Sequence, residues 1–281
     1  MITVHSVQEI QDFVHEKRFS GKKIGFIPTM GALHNGHMSL VETAKHRGLA
    51  CVMSIFVNPT QFGPHEDFSK YPRTIETDKN LALSCGTEAL FIPSVETIYP
   101  SGHIRYIEPP SNFNQVLCGP FRQGHFRGVC TVVNRLLEII QPDWLFLGQK
   151  DAQQLRILQE TMKPLHPKTE IIGSPTIREK NGLAMSSRNK YLTSEEKDKA
   201  SIIFKSLSST DGYYRTGEKN VERLVLFGKK ILGEVPELKT QYFDIVQWND
   251  FQKPSTVSEK CLLAFAGFLG STRLIDNVFL D

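Results

Sequence analysis

Residues 24–37, I-G-F-I-P-T-M-G-A-L-H-N-G-H, restrict the possible folds more than any other stretch of the chain. The stretch opens with the short apolar run that is typical of a parallel strand covered on both faces. Pro28 cannot donate a ladder hydrogen bond and so predicts the end of that strand. Apolar residues then recur at helical spacing over 38–46, so a helix is expected to begin near Asn35 or Gly36.

The predicted helix start is suited to bind an anion. The first turn of a helix leaves N–H groups free and carries a partial positive charge, and Gly31 and Gly36 allow the backbone to approach a ligand closely. His34 and His37 lie three residues apart, so both imidazoles can face the same bound group. This pattern favours chemistry on a nucleotide phosphate.

Better-known motifs do not fit this stretch. The dinucleotide fingerprint G-x-G-x-x-G is absent, and the P-loop glycine spacing of Gly31 and Gly36 is followed by His-Met where a P-loop has Lys and Ser/Thr. The zinc motif H-E-x-x-H needs a different histidine spacing and a glutamate. Hydride transfer, P-loop and zinc-protease chemistry are therefore disfavoured. For each histidine taken alone, a cap or a solvent contact remains open.

Composition limits the partners and the compartment. The chain has 281 residues, enough for one large or two smaller domains, and a net charge of +3 with acids and bases interspersed, which predicts no nucleic acid partner. Its five cysteines are scattered without a C-x-x-C pair, which favours a reducing compartment. No signal-peptide core and no apolar run of roughly 18 residues is present, so we expect a cytoplasmic protein without membrane contact.

Strands and helices alternate up to about residue 175. This alternation predicts an α/β fold with a Rossmann-like parallel sheet and helices on both faces. The predicted helices are 7–19, 36–47, 74–85 and 129–140. The predicted strands after the first are 51–57, 89–92, a short strand at 104–107 in a polar excursion over 99–110, 144–147 and 170–172.

The pattern changes after residue 176. A capping-box sequence over 193–196 opens a helix, another helix is predicted over about 221–232, and three strand-like runs follow. Two helices followed by three strands predict a smaller α+β domain, so the chain is expected to divide into an N-terminal Rossmann-like domain over 1–176 and a C-terminal domain over 177–281. The three strand-like runs are 240–248, 261–268 and 272–279.

Polar residues follow the predicted strands at their carboxyl ends, where open α/β sheets bind ligands. Asn58, Gln61 and Phe62 follow the second strand, although for Asn58 or Gln61 taken alone an ordinary surface loop is the favoured alternative. Lys150 and Asp151 follow the fourth strand. Lys150 can neutralise a phosphate, while Asp151 can accept from a ribose hydroxyl or cap the next helix, and both interpretations of Asp151 remain open.

Two further segments are rich in groups that bind anions, although solvated arginines and a helix cap are the alternatives. Residues 180–190 are predicted to form a mobile loop with donors for a phosphate clamp, because guanidinium presents a planar fork of N–H groups. The donors of this loop are Ser186, Ser187 and Arg188. The cations of the second segment, 119–128, are Arg122, His125 and Arg127.

Together these segments resemble the pantothenate synthetase (pantoate–β-alanine ligase) family of the H-x-G-H nucleotidylyltransferase superfamily. The resemblance covers nearly the whole chain, and this set of motifs in this order is specific. The motifs are P-T-M-G-A-L-H-N-G-H at 28–37, S-I-F-V-N-P-T-Q-F-G-P-H-E-D-F at 54–68, Y-P-R-T at 71–74, G-H-F-R-G-V at 124–129, K-D-A-Q-Q at 150–154, M-S-S-R-N-K-Y-L at 185–192 and T-R-L-I-D-N at 272–277.

The resemblance implies a two-step ligation of small-molecule substrates. Pantoate reacts with ATP to give pantoyl adenylate and pyrophosphate, and β-alanine then displaces AMP to form pantothenate. It also implies Mg²⁺ on the ATP phosphates and a homodimer formed through the N-terminal domain. It assigns no metal ligands. Because a mixed anhydride hydrolyses in water, the C-terminal domain and the 180–190 loop are expected to close over the site as a lid.

The resemblance also implies a role for each matching residue. Gln61 and Gln154 hold pantoate, Gln61 also borders the β-alanine site, and His37 is the proton donor. The implied catalytic groups are His34, His37, Lys150, Ser186, Ser187 and Arg188. The implied ATP contacts are Met30, Gly31, Ala32, Leu33, His34, Asn35, Gly36, His37, Gly148, Gln149, Lys150, Asp151, Ile177, Met185, Ser186, Ser187 and Arg188.

Two other functions are alternatives to this ligation. Another H-x-G-H enzyme, such as a cytidylyl- or adenylyltransferase, would need no amine site and would make no AMP. A catalytically silent nucleotide-binding regulator would not require both histidines, the lysine and the Ser-Ser-Arg run together.

Leu147 departs from the family pattern, because it replaces a usual aromatic residue, and it is expected to loosen the packing around pantoate. The other departures are Asn35, Gln123 and Gln149.

Overall fold

The structure is a computed structural model that describes residues 1–64, 66–100 and 104–281. The chain forms two compact units: 1–110, 122–149 and 154–175 make up the first, and 111–121, 150–153 and 176–281 make up the second. The predicted division after residue 176 stays a prediction. His65 of the 54–68 motif and residues 101–103 of the 99–110 excursion lie outside the described residues.

The first unit is built on a parallel sheet. Among the described residues it contains six strands in the order β1-β4-β3-β2-β5-β6, and every neighbouring pair is parallel. The predicted Rossmann-like sheet is therefore confirmed, with β1 as an additional edge strand. The strands are β1 (Ile2–Val4), β2 (Ile24–Thr29), β3 (Ala50–Ile55), β4 (Ala89–Phe91), β5 (Trp144–Gly148) and β6 (Glu170–Ser174).

The predicted helices are present, with ends that agree to within a few residues. The first one matches its predicted bounds, because a capping box between Ser6 and Glu9 fixes its start. In the described part of the chain, no helix is long and apolar enough to cross a membrane. The helices are α1 (Val7–Phe19), α2 (Asn35–His46), α3 (Ile75–Cys85), α4 (Val95–Ile98), α5 (Ser111–Asn114), α6 (His125–Ile140), α7 (Ala152–Leu165), α8 (Ser194–Ala200), α9 (Ile202–Arg215) and α10 (Val221–Leu232).

The predicted strand at 104–107 is wrong. These residues lie in neither a strand nor a helix. The N–H of Ile107 donates to the hydroxyl of Thr131 on α6 at 3.0 Å, so a side chain takes the place of a ladder partner. A short apolar run cannot reveal from sequence that a side chain will satisfy its backbone.

The turn between β2 and α2 is fixed at both ends by the core of the first unit. All six residues of β3 are buried, and β2 pairs with β3 along its whole length. Leu40, Val41 and Ala44 of α2 pack into the same buried cluster as Ile27 of β2. Each fully buried aliphatic side chain contributes about 1.5–3 kcal/mol, so this cluster holds the helix start against the strand end.

The order in which the chain adds strands to the sheet reverses at β2. The chain runs from β2 to β3 on one side, whereas β5 pairs with β2 on the other side through Gly25–Trp144 and Phe26–Leu145. Such a switch point leaves a crevice outside the carboxyl ends of the strands, where open α/β sheets bind ligands. The segments that follow β2 and β5 are those that the sequence singled out.

The second unit has its own sheet and core. Within the described residues its strands are β7 (Leu238–Gln247), β8 (Cys261–Leu269) and β9 (Thr272–Leu280), paired antiparallel in that order. Leu207 of α9 and Leu224 of α10 lie in one buried cluster with Phe243, Leu263 and Phe265 of this sheet. The predicted α+β arrangement is confirmed, and the single helix predicted from residue 193 is two helices, α8 and α9.

Gly128 in α6 provides a test of how tightly the first unit is packed. A Cβ at this position would lie 2.2 Å from the carbonyl oxygen of Thr60 and 2.7 Å from the Cα of Gln61, so backbone would have to move. We expect Gly128→Ala to lower the free energy of unfolding by about 1–3 kcal/mol, measured by urea denaturation.

Gly212 inside α9 is the matched control, because nothing lies within 4 Å of the Cβ that alanine would add there. Gly212→Ala should raise the free energy of unfolding by about 0.5–1 kcal/mol, the usual gain from replacing a helical glycine. A Gly128→Ala protein that gains stability in the same way would show that the contact with Thr60 is looser than described.

Candidate active site

His34 and His37 lie together at the start of α2. The His34 Nδ1 accepts a hydrogen bond from the Gly36 N–H at 3.1 Å, and the His37 Nδ1 accepts from the His34 N–H at 3.3 Å. Their ring centroids are 4.1 Å apart. This is a capping box in which two imidazoles replace the usual hydroxyl and carboxylate.

The capping contacts determine where the protons lie on the two rings. A ring nitrogen that accepts a hydrogen bond carries no proton, so each neutral imidazole has its proton on Nε2. The Nδ1 atoms of His34 and His37 serve the helix, while Nε2–H is the donor that each ring can offer to a ligand. The two interpretations of these histidines, cap and anion contact, are therefore compatible in the same side chains.

Asp78 of α3, which sequence reasoning missed, holds the turn that precedes the histidines. This side chain is 1% exposed, and its two oxygens accept from the N–H groups of Ala32 at 2.9 Å and Leu33 at 2.8 Å. The Thr74 hydroxyl donates to the same carboxylate at 3.2 Å. Ala32 has a φ of +50°, a left-handed conformation that costs about 1–2 kcal/mol outside glycine, and the bonds to Asp78 offset that cost.

Replacing Asp78 by asparagine tests this anchor. An amide can accept from one N–H but turns its NH₂ toward the other, so one of the two bonds is lost. We expect the free energy of unfolding to fall by about 1.5–3 kcal/mol, the range for a hydrogen bond to a charged group. Asp12→Asn, at an exposed position on α1, should change it by less than about 0.5 kcal/mol in the same urea titration. Equal stability of the two variants would contradict the anchoring role.

Gln61 connects the carboxyl ends of β2 and β3. It ends a short 3-10 helix after β3 and is 9% exposed. Its Nε2 lies 3.0 Å from the Met30 Sδ, and its Oε1 accepts from the Asn58 Nδ2 at 3.1 Å. Asn58 in turn accepts from the Tyr99 hydroxyl at 2.9 Å, and burial raises the pKa of Tyr99 to about 12, which keeps that hydroxyl protonated. Neutral hydrogen-bonding groups thus line this part of the edge.

Arg122, a predicted anion contact, binds a carboxylate of the protein itself. Its Nε and Nη2 donate to the two oxygens of Glu66 at 2.6 and 2.7 Å. Its Nη1 lies 2.8 Å from the Nε2 of His125. Because a guanidinium can only donate, the His125 Nε2 accepts and its Nδ1–H donates to the Gln61 carbonyl at 2.8 Å. A chain of bonds therefore runs from Glu66 to the backbone of Gln61.

The Glu66–Arg122 pair gives a pH-dependent prediction. Burial raises the pKa of Glu66, but the hydrogen bonds and charge of Arg122 outweigh it and lower the pKa from 4.5 to about 2. A carboxyl whose pKa is depressed on folding stabilises the protein fully above its unfolded pKa and loses that contribution as the pH falls toward the folded value. The stability difference between the parent and Glu66→Gln should be constant above about pH 5 and shrink toward about pH 3, measured by urea midpoints.

Glu76→Gln is the control for this titration, since Glu76 forms an ion pair with Lys79 while its side chain is 83% exposed. Exposed pairs contribute about 0–1 kcal/mol, so this variant should track the parent at every pH. A gap between the parent and Glu66→Gln that stays unchanged down to low pH would contradict the assigned ionisation.

The end of β5 lies beside the end of β2 in the sheet. Gly148 closes the strand and pairs with Ser174, and the Gln149 Nε2 donates to the Gly173 carbonyl at 3.4 Å. Leu147 is 6% exposed. Gln154 follows on α7 and is half-buried. The predicted contacts that belong to the first unit therefore all follow the ends of neighbouring strands. They are residues 30–37, Gln61, Gly148, Gln149 and Gln154.

The remaining predicted contacts lie in the second unit. Lys150 has a side chain that is 18% exposed, and its Nζ is 3.7 Å from an oxygen of Asp151. Met185 donates its N–H to the Ile177 carbonyl at 2.9 Å, which closes a turn over 177–185. Contact of both sets of residues with one ATP stays a prediction.

The loop predicted at 180–190 runs into a short helix. Ser187–Tyr191 is a 3-10 helix, and the Ser186 Oγ caps it by accepting from the Arg188 N–H at 3.3 Å. Asn189 donates from Nδ2 to Glu179 at 2.7 Å and to the Ala184 carbonyl at 3.1 Å. The cap by Ser186 agrees with the alternative interpretation of the S-S-R run as a helix start, and the mobility of the loop stays a prediction.

The parallel sheet of the first unit, with polar groups at the carboxyl ends of its strands, defines a Rossmann-like α/β protein. The sequence matches the family model described as Pantoate-beta-alanine ligase over residues 2–279. It is 42% identical over 281 residues to the pantothenate synthetase of Caldicellulosiruptor saccharolyticus, with 100% of both chains covered, and 43% identical over 280 residues to that of Pelotomaculum thermopropionicum, covering 100% of this chain and 99% of the relative.

Solved structures agree with these matches. Pantothenate synthetase from Thermus thermophilus superposes with a TM-score of 0.94 at 37% identity, covering 99% of each chain. Pantoate-beta-alanine ligase from Francisella tularensis, complexed with beta-gamma ATP and β-alanine, gives 0.81 at 36% identity, covering 100% of this chain and 98% of that one. The chain belongs to the pantoate–β-alanine ligase family, which confirms the predicted family and enzyme class.

Proposed function

We propose that the chain condenses pantoate with β-alanine to pantothenate, at the expense of ATP, and releases AMP and pyrophosphate through a pantoyl-adenylate intermediate. The observation that carries the proposal is the His34–His37 capping box, which places two Nε2–H donors at a helix start beside the switch point. Membership of the family supports the same reaction.

In the first step a carboxylate oxygen of pantoate bonds to the α-phosphorus of ATP, and the bond from that phosphorus to the bridging oxygen breaks. Negative charge builds up on the α-phosphate oxygens and on the departing pyrophosphate. Donors fixed at these positions stabilise the transition state more than the bound substrates. The proposed donors are His34, His37, Lys150, Ser186, Ser187 and Arg188.

In the second step the neutral amine nitrogen of β-alanine bonds to the acyl carbon of the adenylate, the bond to the AMP oxygen breaks, and the nitrogen loses a proton to solvent. Gln61 and Gln154 are proposed to orient pantoate with neutral amides, which leave its carboxylate nucleophilic. For Gln61, the bonds to Asn58 and Met30 support this role because they fix its rotamer. A mixed anhydride hydrolyses in water, so residues 177–281 are proposed to act as a lid.

Magnesium is proposed to enter with ATP as part of the substrate. Among the residues that the structure describes, no group of three or more His, Cys, Asp or Glu side chains could hold a metal ion. Mg²⁺ in nucleotide sites is bound largely by phosphate oxygens and water with one or two carboxylates, so MgATP does not require such a group. A homodimer and a cytoplasmic location are part of the proposal, and the five cysteines, all free thiols, support a reducing compartment.

The direct test supplies the purified protein with ATP, Mg²⁺, pantoate and β-alanine and measures AMP and pantothenate. We expect both products in equal amounts, and pyrophosphate release that needs pantoate but not β-alanine. A nucleotidyltransferase that keeps the nucleotide on its product would release pyrophosphate without AMP, and a silent regulator would release neither. Absence of AMP would overturn the proposal.

His37→Ala tests the proposed donor. Loss of one transition-state donor should lower the rate of adenylate formation by about 10²- to 10³-fold. The fold should persist, with a loss of about 0.5–1.5 kcal/mol from the missing bond to the His34 N–H. His15→Ala, an exposed position on α1, should change neither quantity. A His37→Ala enzyme that turns over normally but unfolds easily would contradict the catalytic role.

A further inference from the structure

The T-R-L-I-D-N segment at 272–277 is a family motif without a role in the proposed reaction. It begins β9, whose residues Asp276 and Asn277 pair in register with Phe265 and Ala264 of β8. Asp276 is 4% exposed and Asn277 7% exposed. Buried acids and amides need hydrogen-bond partners, so the partners of these two side chains indicate what the motif does.

Asn277 contacts the lysine that is proposed to bind ATP. Its Nδ2 donates to the carbonyl oxygen of Lys150 at 2.8 Å. The bond involves the backbone of Lys150, so it fixes the origin of the side chain without using the ammonium. The Lys150 side chain is 18% exposed. Because it is largely buried, the position of its ammonium group depends strongly on the position of its backbone.

Asp276 contacts the segment that carries the other proposed nucleotide contacts of the second unit. It accepts from Arg178 at 2.5 Å and 3.1 Å, and Arg178 also donates to the Gly182 carbonyl at 3.2 Å. Arg178 adjoins Ile177, and its backbone bridges to Ala184. Asp276 therefore anchors the turn over 177–185 at its base.

The two anchors are themselves joined. The Asn277 N–H donates to the Asp276 Oδ1 at 2.8 Å. Burial raises the pKa of Asp276, and Arg178 opposes that shift. A buried charged pair is seldom more stabilising than apolar residues of the same volume. A gain in folding stability therefore explains this buried pair poorly. The segments that it holds, which carry proposed nucleotide contacts, explain it better.

We propose that Asp276 and Asn277 are positioning residues for the nucleotide. From neighbouring buried positions on one strand they hold Lys150 and the 177–185 turn in fixed relation, so that the contacts of the second unit are arranged before ATP binds. The inference rests on the proposed function, in which Lys150, Ile177 and Met185 contact ATP.

The test compares Asn277→Ala with Asn112→Ala in the full-length protein. Asn112 also donates its amide to a backbone carbonyl, that of Asp250 at 3.1 Å, but on the exposed surface of the second unit. Binding of α,β-methylene-ATP with Mg²⁺ is measured by calorimetry. Asn277→Ala should weaken binding of the analogue by roughly 3- to 10-fold, which corresponds to the loss of one hydrogen bond. Asn112→Ala should bind the analogue as the parent does, and neither variant should change the KM for pantoate.

A double-mutant cycle distinguishes positioning from general weakening of the fold. If Asn277 acts through Lys150, its replacement should change the Kd of the analogue by less than about twofold in a Lys150→Ala background. An equal fold-change in both backgrounds would overturn the inference, because a purely structural effect does not depend on the lysine.

Asp276→Asn serves as the second variant if Asn277→Ala does not fold. Its control is Asp244→Asn, which breaks an ion pair with Lys253 on the exposed side of β7. Asp276→Asn should weaken analogue binding relative to this control. A parent protein that makes pantothenate while both positioning variants bind the analogue normally would overturn this inference alone. A parent that makes none would overturn the proposed function.

Discussion

The capping of α2 by two imidazoles is the interaction on which the proposed site depends. A helix start has N–H groups that need acceptors, and here His34 and His37 provide them through Nδ1. The same bonds leave the proton of each neutral ring on Nε2. A structural requirement of the helix thus sets which ring nitrogen carries the proton in the two side chains that are proposed to bind the ATP phosphates.

Each of the neighbouring elements reduces the freedom of that helix start. Asp78 fixes the turn before it through two backbone N–H groups, although Ala32 has a left-handed conformation there. The Met30 Sδ contacts Gln61 on the next strand end, and the Glu66–Arg122–His125 chain leads to the Gln61 carbonyl. Such supporting bonds hold side chains in one geometry, and a fixed geometry is one of the ways in which a protein lowers a reaction barrier.

Periodicity predicted most of the fold, because long segments carry a repeated pattern. The helices at 7–19 and 221–232 and the parallel strands were evident in this way. Ile2–Val4 was missed because three residues carry no period, and the false strand at 104–107 shows the same limit.

The site was predicted from motifs, and motifs report residue type but not partner. Asp78 left only a faint signal, an acid within the apolar stripe of a predicted helix. Gln153 and Gln154 are adjacent and identical, and only the fold shows that Gln153 is buried and bonded to the Cys118 N–H at 2.9 Å.

The most direct test of this account is the ¹⁵N NMR spectrum of the two histidine rings with and without ATP. The account predicts that neutral His34 and His37 both carry the proton on Nε2, and that adding MgATP shifts the Nε2 signals more than the Nδ1 signals. Rings protonated on Nδ1, or Nε2 signals that do not respond to ATP, would contradict it.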